Sequence, residues 1–142
     1  MDQHQYVISI VNQVLSNHDL PLVDTQSQAI SLQDQHNRFW MIEFDSHSDL
    51  LLIHTPLHSD SLVDAEVADI LLACLHLNTQ TSLMQGAWIG ATQGDDQLYL
   101  CAQQSIESLT SMSLQNMITR LISLASDVEN QLEQMLHFGG RV

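Results

Sequence analysis

The 142-residue chain carries 17 acidic residues against three arginines and no lysine, a formal net charge of −14. Binding to nucleic acid or to an anionic membrane depends on Lys and Arg neutralising phosphates, so this balance excludes both and favours basic partners. Hydrophobic residues make up 44% of the chain, enough to build one globular core, and there is no apolar run of about 18 residues to span a bilayer.

The chain begins MDQHQYVISI, without the basic start and cleavage site of a signal peptide, so a cytosolic location is expected. Over 3–17, Tyr6, Val7, Ile10, Val11, Val14 and Leu15 recur at the spacing of an amphipathic helix. Asn17-His18-Asp19 and Pro21 close it, since the residue before a proline avoids the helical region. Three strands are predicted next. The segment 29–33 alternates weakly through Ile30 and Leu32. The segment 38–45, RFWMIEFD, alternates better: Trp40, Ile42 and Phe44 share one face, and Phe39, Met41, Glu43 and Asp45 share the other. The segment 50–55 is apolar on both faces, as in a strand covered on two sides. Short polar turns at His36-Asn37 and Ser46-His47-Ser48 make antiparallel hairpins the simplest connections.

Pro56 ends the third strand, and Ser61-x-x-Asp64 resembles a capping box opening a second helix over 62–77. From Ile70 to Cys74 that helix is apolar all round, so it must be covered on every side. One sheet covers one side only, and a second copy of the chain is the natural cover for the other. Two strands, 86–92 and 97–103, flank the polar turn Gln93-Gly94-Asp95-Asp96. A long helix over 112–137 carries Met117, Leu121, Leu124 or Ala125, Val128, Leu132 and Met135 as its apolar stripe and ends at Gly139-Gly140. No linker or repeat divides the chain. The expectation is one α+β domain over 1–142, in the order α-β-β-β-α-β-β-α, with an antiparallel sheet packed by helices.

The candidate chemistry is thin. Cys74 and His76 in LLACLHLN point about 200° apart on a helix, so they do not pair as nucleophile and base. Neither CxxC nor HExxH occurs, and His54-x-x-x-His58 straddles Pro56, so no zinc site is expected. Cys74 and Cys101 are expected to be reduced, buried thiols. Glycine-rich phosphate loops and the G-x-S-x-G elbow are absent, and Asp95-Asp96 sits in a turn. The sequence therefore predicts no enzyme and no cofactor. What remains is surface: Phe39 and Met41 on the second strand, together with the stripe of the first helix, are candidates for an exposed apolar patch that captures an extended or amphipathic segment.

Two stretches carry a family resemblance: LLACLHLN (71–78), a leucine-rich helix ending in Asn, and QGAWIGATQGDDQLYLCAQQ (85–104), a glycine-containing strand, a short acidic turn and an L-x-L strand. With the long C-terminal helix and the order of elements, these resemble the class I type III secretion chaperones, the Tir chaperone family. The resemblance implies a homodimeric, ATP-independent bacterial chaperone that holds the N-terminal segment of a secreted effector in an extended, secretion-competent form. It implies that the second helix dimerises through Ala68, Leu71, Leu72 and Leu75, with Trp88. It also implies a partner surface of Val7, Ile10, Val11, Val14, Phe39 and Met41, with a partner strand added to a sheet edge it does not specify. Gln97-Leu98-Tyr99 and the tail Gly139-Gly140-Arg141-Val142 are similar to a regulatory branch of the family, whose members sequester a repressor of secretion-gene transcription. An adaptor unrelated to secretion, binding a folded partner, is the other alternative.

Overall fold

The computed structural model describes residues 2–18, 20–23, 29–44, 47–92, 94 and 96–139. Asp19, Asp45, Ser46, Gln93, Asp95 and the tail 140–142, on which some of the sequence expectations fall, lie outside the described residues. The elements are α1 (Gln3–Asn17), β1 (Ala29–Gln33), β2 (Phe39–Glu43), β3 (Leu50–Pro56), α2 (Asp60–Asp64), α3 (Val67–Asn78), α4 (Thr81–Met84), β4 (Trp88–Ala91), β5 (Leu98–Ser105) and α5 (Ser111–Gly139). They form an α+β fold with one five-stranded sheet in the order β1-β2-β3-β5-β4. The pairs β1–β2, β2–β3 and β4–β5 are antiparallel. The chain divides into two compact units, Met1–His54 with Gln103–Leu121, and Thr55–Ala102 with Ile122–Val142.

In the first unit, α1 starts at a capping box that the sequence reading did not pick out. The Gln5 backbone N–H donates to the Asp2 carboxylate at 2.8 Å, and the Asp2 N–H donates to the Gln5 side chain at 3.3 Å. The helix buries Val7, Ile8, Ile10, Val11, Val14 and Leu15. Burying a side chain of this kind fully is worth about 1.5–3 kcal/mol. The same unit buries Ile30, Trp40, Ile42, Leu51 and Ile53 from its strands, with Phe44, Ile106, Leu109, Leu114 and Leu121. The Tyr6 hydroxyl donates to the Leu109 carbonyl.

Asp34 shapes the β1–β2 hairpin. Its carboxylate accepts the N–H groups of His36 at 2.7 Å and Arg38 at 3.1 Å, and the Trp40 indole N–H at 2.8 Å. Partial burial pushes this carboxyl up, but the bond from Trp40, then those from Arg38 and His36, outweigh it and hold it below its ordinary value. Asn37 completes the turn in the left-handed region, at φ 64.

In the second unit the expected continuous helix over 62–77 is two helices. Ala65 and Glu66 between α2 and α3 are extended. The capping box at Ser61 does not form, because Ser61 lies inside α2, whose N-cap is Ser59. Distant carboxylates anchor this start instead: the His58 N–H donates to Glu129 at 2.6 Å, while the Ser59 hydroxyl and the Ser61 N–H, the latter at 3.3 Å, donate to Glu133. These bonds, from the Ser59 hydroxyl first, hold the Glu133 carboxyl below its ordinary value. The unit's core contains Leu57, Ala73, Cys74, Leu77, Met84, Ile89, Leu100, Leu124, Val128 and Leu132. Among the described residues, no helix is long and apolar enough to cross a membrane.

Candidate partner-binding and self-association surfaces

The outer face of the sheet in the first unit follows from strand alternation. Register pairs Ser31 with Met41, Gln33 with Phe39, Met41 with His54, and Glu43 with Leu52. Side chains two apart share a face, so Ala29, Phe39, Met41, Leu50 and Leu52 stand together on the side opposite Trp40, Ile42, Leu51 and Ile53. Phe39 is 58% exposed, Leu50 is exposed, and Met41 and Leu52 are half-buried. The sequence reading expected β3 to be covered on both faces, but only Leu51, Ile53 and Thr55 are fully buried. A continuous apolar run does not reveal which face is left open. A His54–Glu43 ion pair, 3.5 Å apart, lies on this same outer face.

Four expected partner-binding residues do not belong to that face. Val7, Ile10, Val11 and Val14 are buried in the core of the first unit, none of them more than 8% exposed. Periodicity finds the apolar stripe of a helix, but a core stripe and a docking stripe have the same spacing. Phe39 and Met41 remain, and Leu50 and Leu52, which the sequence reading assigned to the interior, join them.

The second unit carries a different open face. On α3, Ala73, Cys74 and Leu77 turn inward, while Val67, Ala68, Leu71, Leu72 and Leu75 are exposed. Three of these, Leu71, Leu72 and Leu75, are 50, 66 and 62% exposed. Their spacing puts them on one stripe of the helix. Trp88 is half-exposed on β4, the strand α3 packs against, and its indole and the Cys101 thiol flank Gly90. Val63, 83% exposed, adds a further apolar side chain on α2.

Asn78, the last residue of α3, joins that helix to β4. Its amide donates to the Ile89 carbonyl at 3.2 Å, and its carbonyl accepts the Ile89 N–H at 2.7 Å. On α3, Cys74 is buried and His76 exposed, so the two side chains face apart. Burial raises the Cys74 thiol above its ordinary value and pushes Cys101 up to about 11, against a lowering hydrogen bond from the Gly90 backbone. Thiols raised in this way are poor nucleophiles. Among the described residues, no group of three or more His, Cys, Asp or Glu is placed to hold a metal ion.

The profile of the Tir chaperone protein (CesT) family matches residues 9–129. The chain belongs to that family. A search of curated proteins by sequence returned no match. Among solved structures, the chain resembles a chain of the ExsC–ExsE complex at TM-score 0.76 and 16% identity, covering 93% of this chain and 97% of that one. It resembles a chain of the HopA1–SchA chaperone–effector complex at TM-score 0.70 and 13% identity, covering 89% and 95%. It also resembles a chain of the ExoT–SpcS complex from Pseudomonas aeruginosa at TM-score 0.59 and 18% identity, covering 86% and 96%. At these identities the likeness is one of fold. The Tir chaperone family, implied by the resemblance of LLACLHLN and its neighbouring stretches, is thus the family of this chain. Its members are chaperones, not enzymes.

Proposed function

We propose that this CesT-family protein acts in the bacterial cytoplasm as a homodimeric chaperone, binding the extended N-terminal segment of a secreted effector and keeping it soluble and competent for secretion. The observation that carries the reading is the open apolar sheet face of Phe39, Met41, Leu50 and Leu52 in a chain of this family. An apolar face beside an open sheet edge suits an extended segment, which fixes its backbone by strand pairing and places alternate side chains on the face. The net charge of −14 favours a basic segment. Self-association is assigned to the other face, where Ala68, Leu71, Leu72 and Leu75 leave an apolar stripe that a second copy covers, with Trp88 nearby.

A second reading is the regulatory one, in which the captured partner is a repressor of secretion-gene transcription. The strand beginning at Gln97-Leu98-Tyr99 supports it through its likeness to that branch. One chaperone can serve both partners with the same surface. The test is to purify the tagged protein from its own bacterium with secretion blocked and to digest the complex lightly. A short protected N-terminal piece of a secreted protein supports the delivery reading. A non-secreted regulatory protein supports the second. Recovery of the protein with no bound chain under both secretion-blocked and permissive conditions rejects both.

A further inference from the structure

β4 ends the sheet on one side and β1 on the other. An outer strand presents unpaired N–H and C=O groups, which invite pairing with another chain. The two outer strands differ in how these groups are used. In an antiparallel pair, alternate residues turn their backbone groups away from the partner strand. Ile89 sits opposite Leu100 on β5 and has both its N–H and its C=O taken by the Asn78 carboxamide, so it is an outward-facing position. Ala87 and Ala91, two residues either side, are the other outward positions. The Ala87 N–H is also taken, donating to the Met84 carbonyl at 2.9 Å.

On β1 the alternation is set by the Asp34 N–H, which donates to the Arg38 carbonyl at 3.0 Å. That bond makes Leu32 and Ile30 the inward positions and turns the backbone groups of Ala29, Ser31 and Gln33 outward. Among the described residues, none bonds those outward groups. Among the described residues, the outward groups of β1 are open, whereas β4 is closed at Ile89 and at the Ala87 N–H.

We propose that Asn78 guards the β4 edge. Its carboxamide, one donor and one acceptor aimed at a single residue, makes the two bonds that a neighbouring strand makes with Ile89. The edge is thereby closed to strand pairing with a second copy of the chain, and an extended partner segment adds to the sheet along β1 alone. This last consequence rests on the strand-addition reading given above; the guard itself does not.

The test uses the full chain without any partner, so its failure leaves the partner reading standing. In the wild-type protein, the Ile89 amide exchanges with deuterium more slowly than the outward Ser31 amide by about tenfold, the factor one hydrogen bond supplies. In Asn78→Ala, Ile89 exchange accelerates by a similar factor, and the sedimenting mass at a given concentration rises above that of wild type. Adding Ala91→Pro, which removes an outward N–H and no inward one, returns the mass to the wild-type value. A role for Asn78 as a simple tether between α3 and β4 predicts no such rescue. The proposal is overturned if Ile89 and Ser31 exchange equally fast in the wild type, a measurement that needs no variant to fold. It is also overturned if folded Asn78→Ala keeps the wild-type mass, or if its added mass persists with Ala91→Pro.

Discussion

Leu72→Asp tests the assignment of α3 to self-association. Leu71, Leu72 and Leu75 are 50, 66 and 62% exposed, so a second copy has much of each side chain left to cover. Since burying a whole leucine is worth about 1.5–3 kcal/mol, covering the open part of each contributes on the order of 1–2 kcal/mol. A twofold interface uses each residue twice, for a gross gain of about 6–12 kcal/mol before the cost of association is subtracted. The substitution removes the two Leu72 contributions and puts two carboxylates into a desolvated interface, a loss of at least about 4 kcal/mol in all. That raises the dissociation constant about a thousandfold. The side chain is mostly exposed within the chain, so the fold stays intact. Sedimentation velocity across a concentration series is the assay, with far-ultraviolet circular dichroism as the control for folding. The variant sediments as a monomer at concentrations where wild type is dimeric. A folded Leu72→Asp that sediments like dimeric wild type refutes the assignment, and a monomeric wild type refutes the dimer itself.

The remaining expectations concern the first unit and the thiols. Phe39→Ser weakens capture of the co-purified partner at least tenfold and changes stability by no more than about 0.5 kcal/mol, measured by pull-down and urea unfolding, because Phe39 lies mainly in solvent. Ile10→Ala, on the buried face of α1, costs about 2–5 kcal/mol in urea unfolding, and under conditions where it remains folded it keeps its partner. Asp34→Ala leaves the buried Trp40 indole N–H without its acceptor and costs about 1 kcal/mol, after discounting for the partial exposure of the carboxylate. The Asp34 carboxyl lies below its ordinary value in the folded state, so its contribution is present above the unfolded value and fades as pH falls through the folded one. The stability difference between wild type and Asp34→Ala therefore narrows in acid, as read by chemical unfolding at stepped pH. Cys74 and Cys101 react slowly with a maleimide at neutral pH and quickly once the chain is unfolded, because burial raises both thiols.

Much of the fold is legible in the sequence because periodicity and alternation are local. The strand RFWMIEFD shows Trp40, Ile42 and Phe44 as its inward face, and these three are buried. The long C-terminal stripe of Leu121, Val128 and Leu132 is buried as well. The break at Ala65–Glu66 is not legible, and neither is the anchoring of the start of α2 by Glu129 and Glu133, 71 and 74 residues along the chain from His58 and Ser59. No glycine or proline marks the break. Nor does spacing say what covers an apolar stripe. The run Ile70 to Cys74 correctly suggests a helix with an apolar side left to cover, whereas the same kind of evidence placed Val7 and Val14 on a docking surface when they lie in the core. The reverse holds for Leu50 and Leu52, whose outer position depends on which side of the sheet the helices leave bare. Asn78 ends LLACLHLN and Ile89 lies in QGAWIGATQGDDQLYLCAQQ, but only the three-dimensional path of the chain shows what the carboxamide touches.

The central claim is that an extended partner segment lies on the outer face of the first unit's sheet and pairs with β1. Hydrogen exchange of the purified chaperone–partner complex against the free chaperone tests it most directly. The account predicts slowed exchange across β1 (Ala29–Gln33), greatest at the outward Ala29, Ser31 and Gln33 amides, with Ile89 unchanged. Unchanged exchange in β1, with protection appearing only elsewhere, contradicts it.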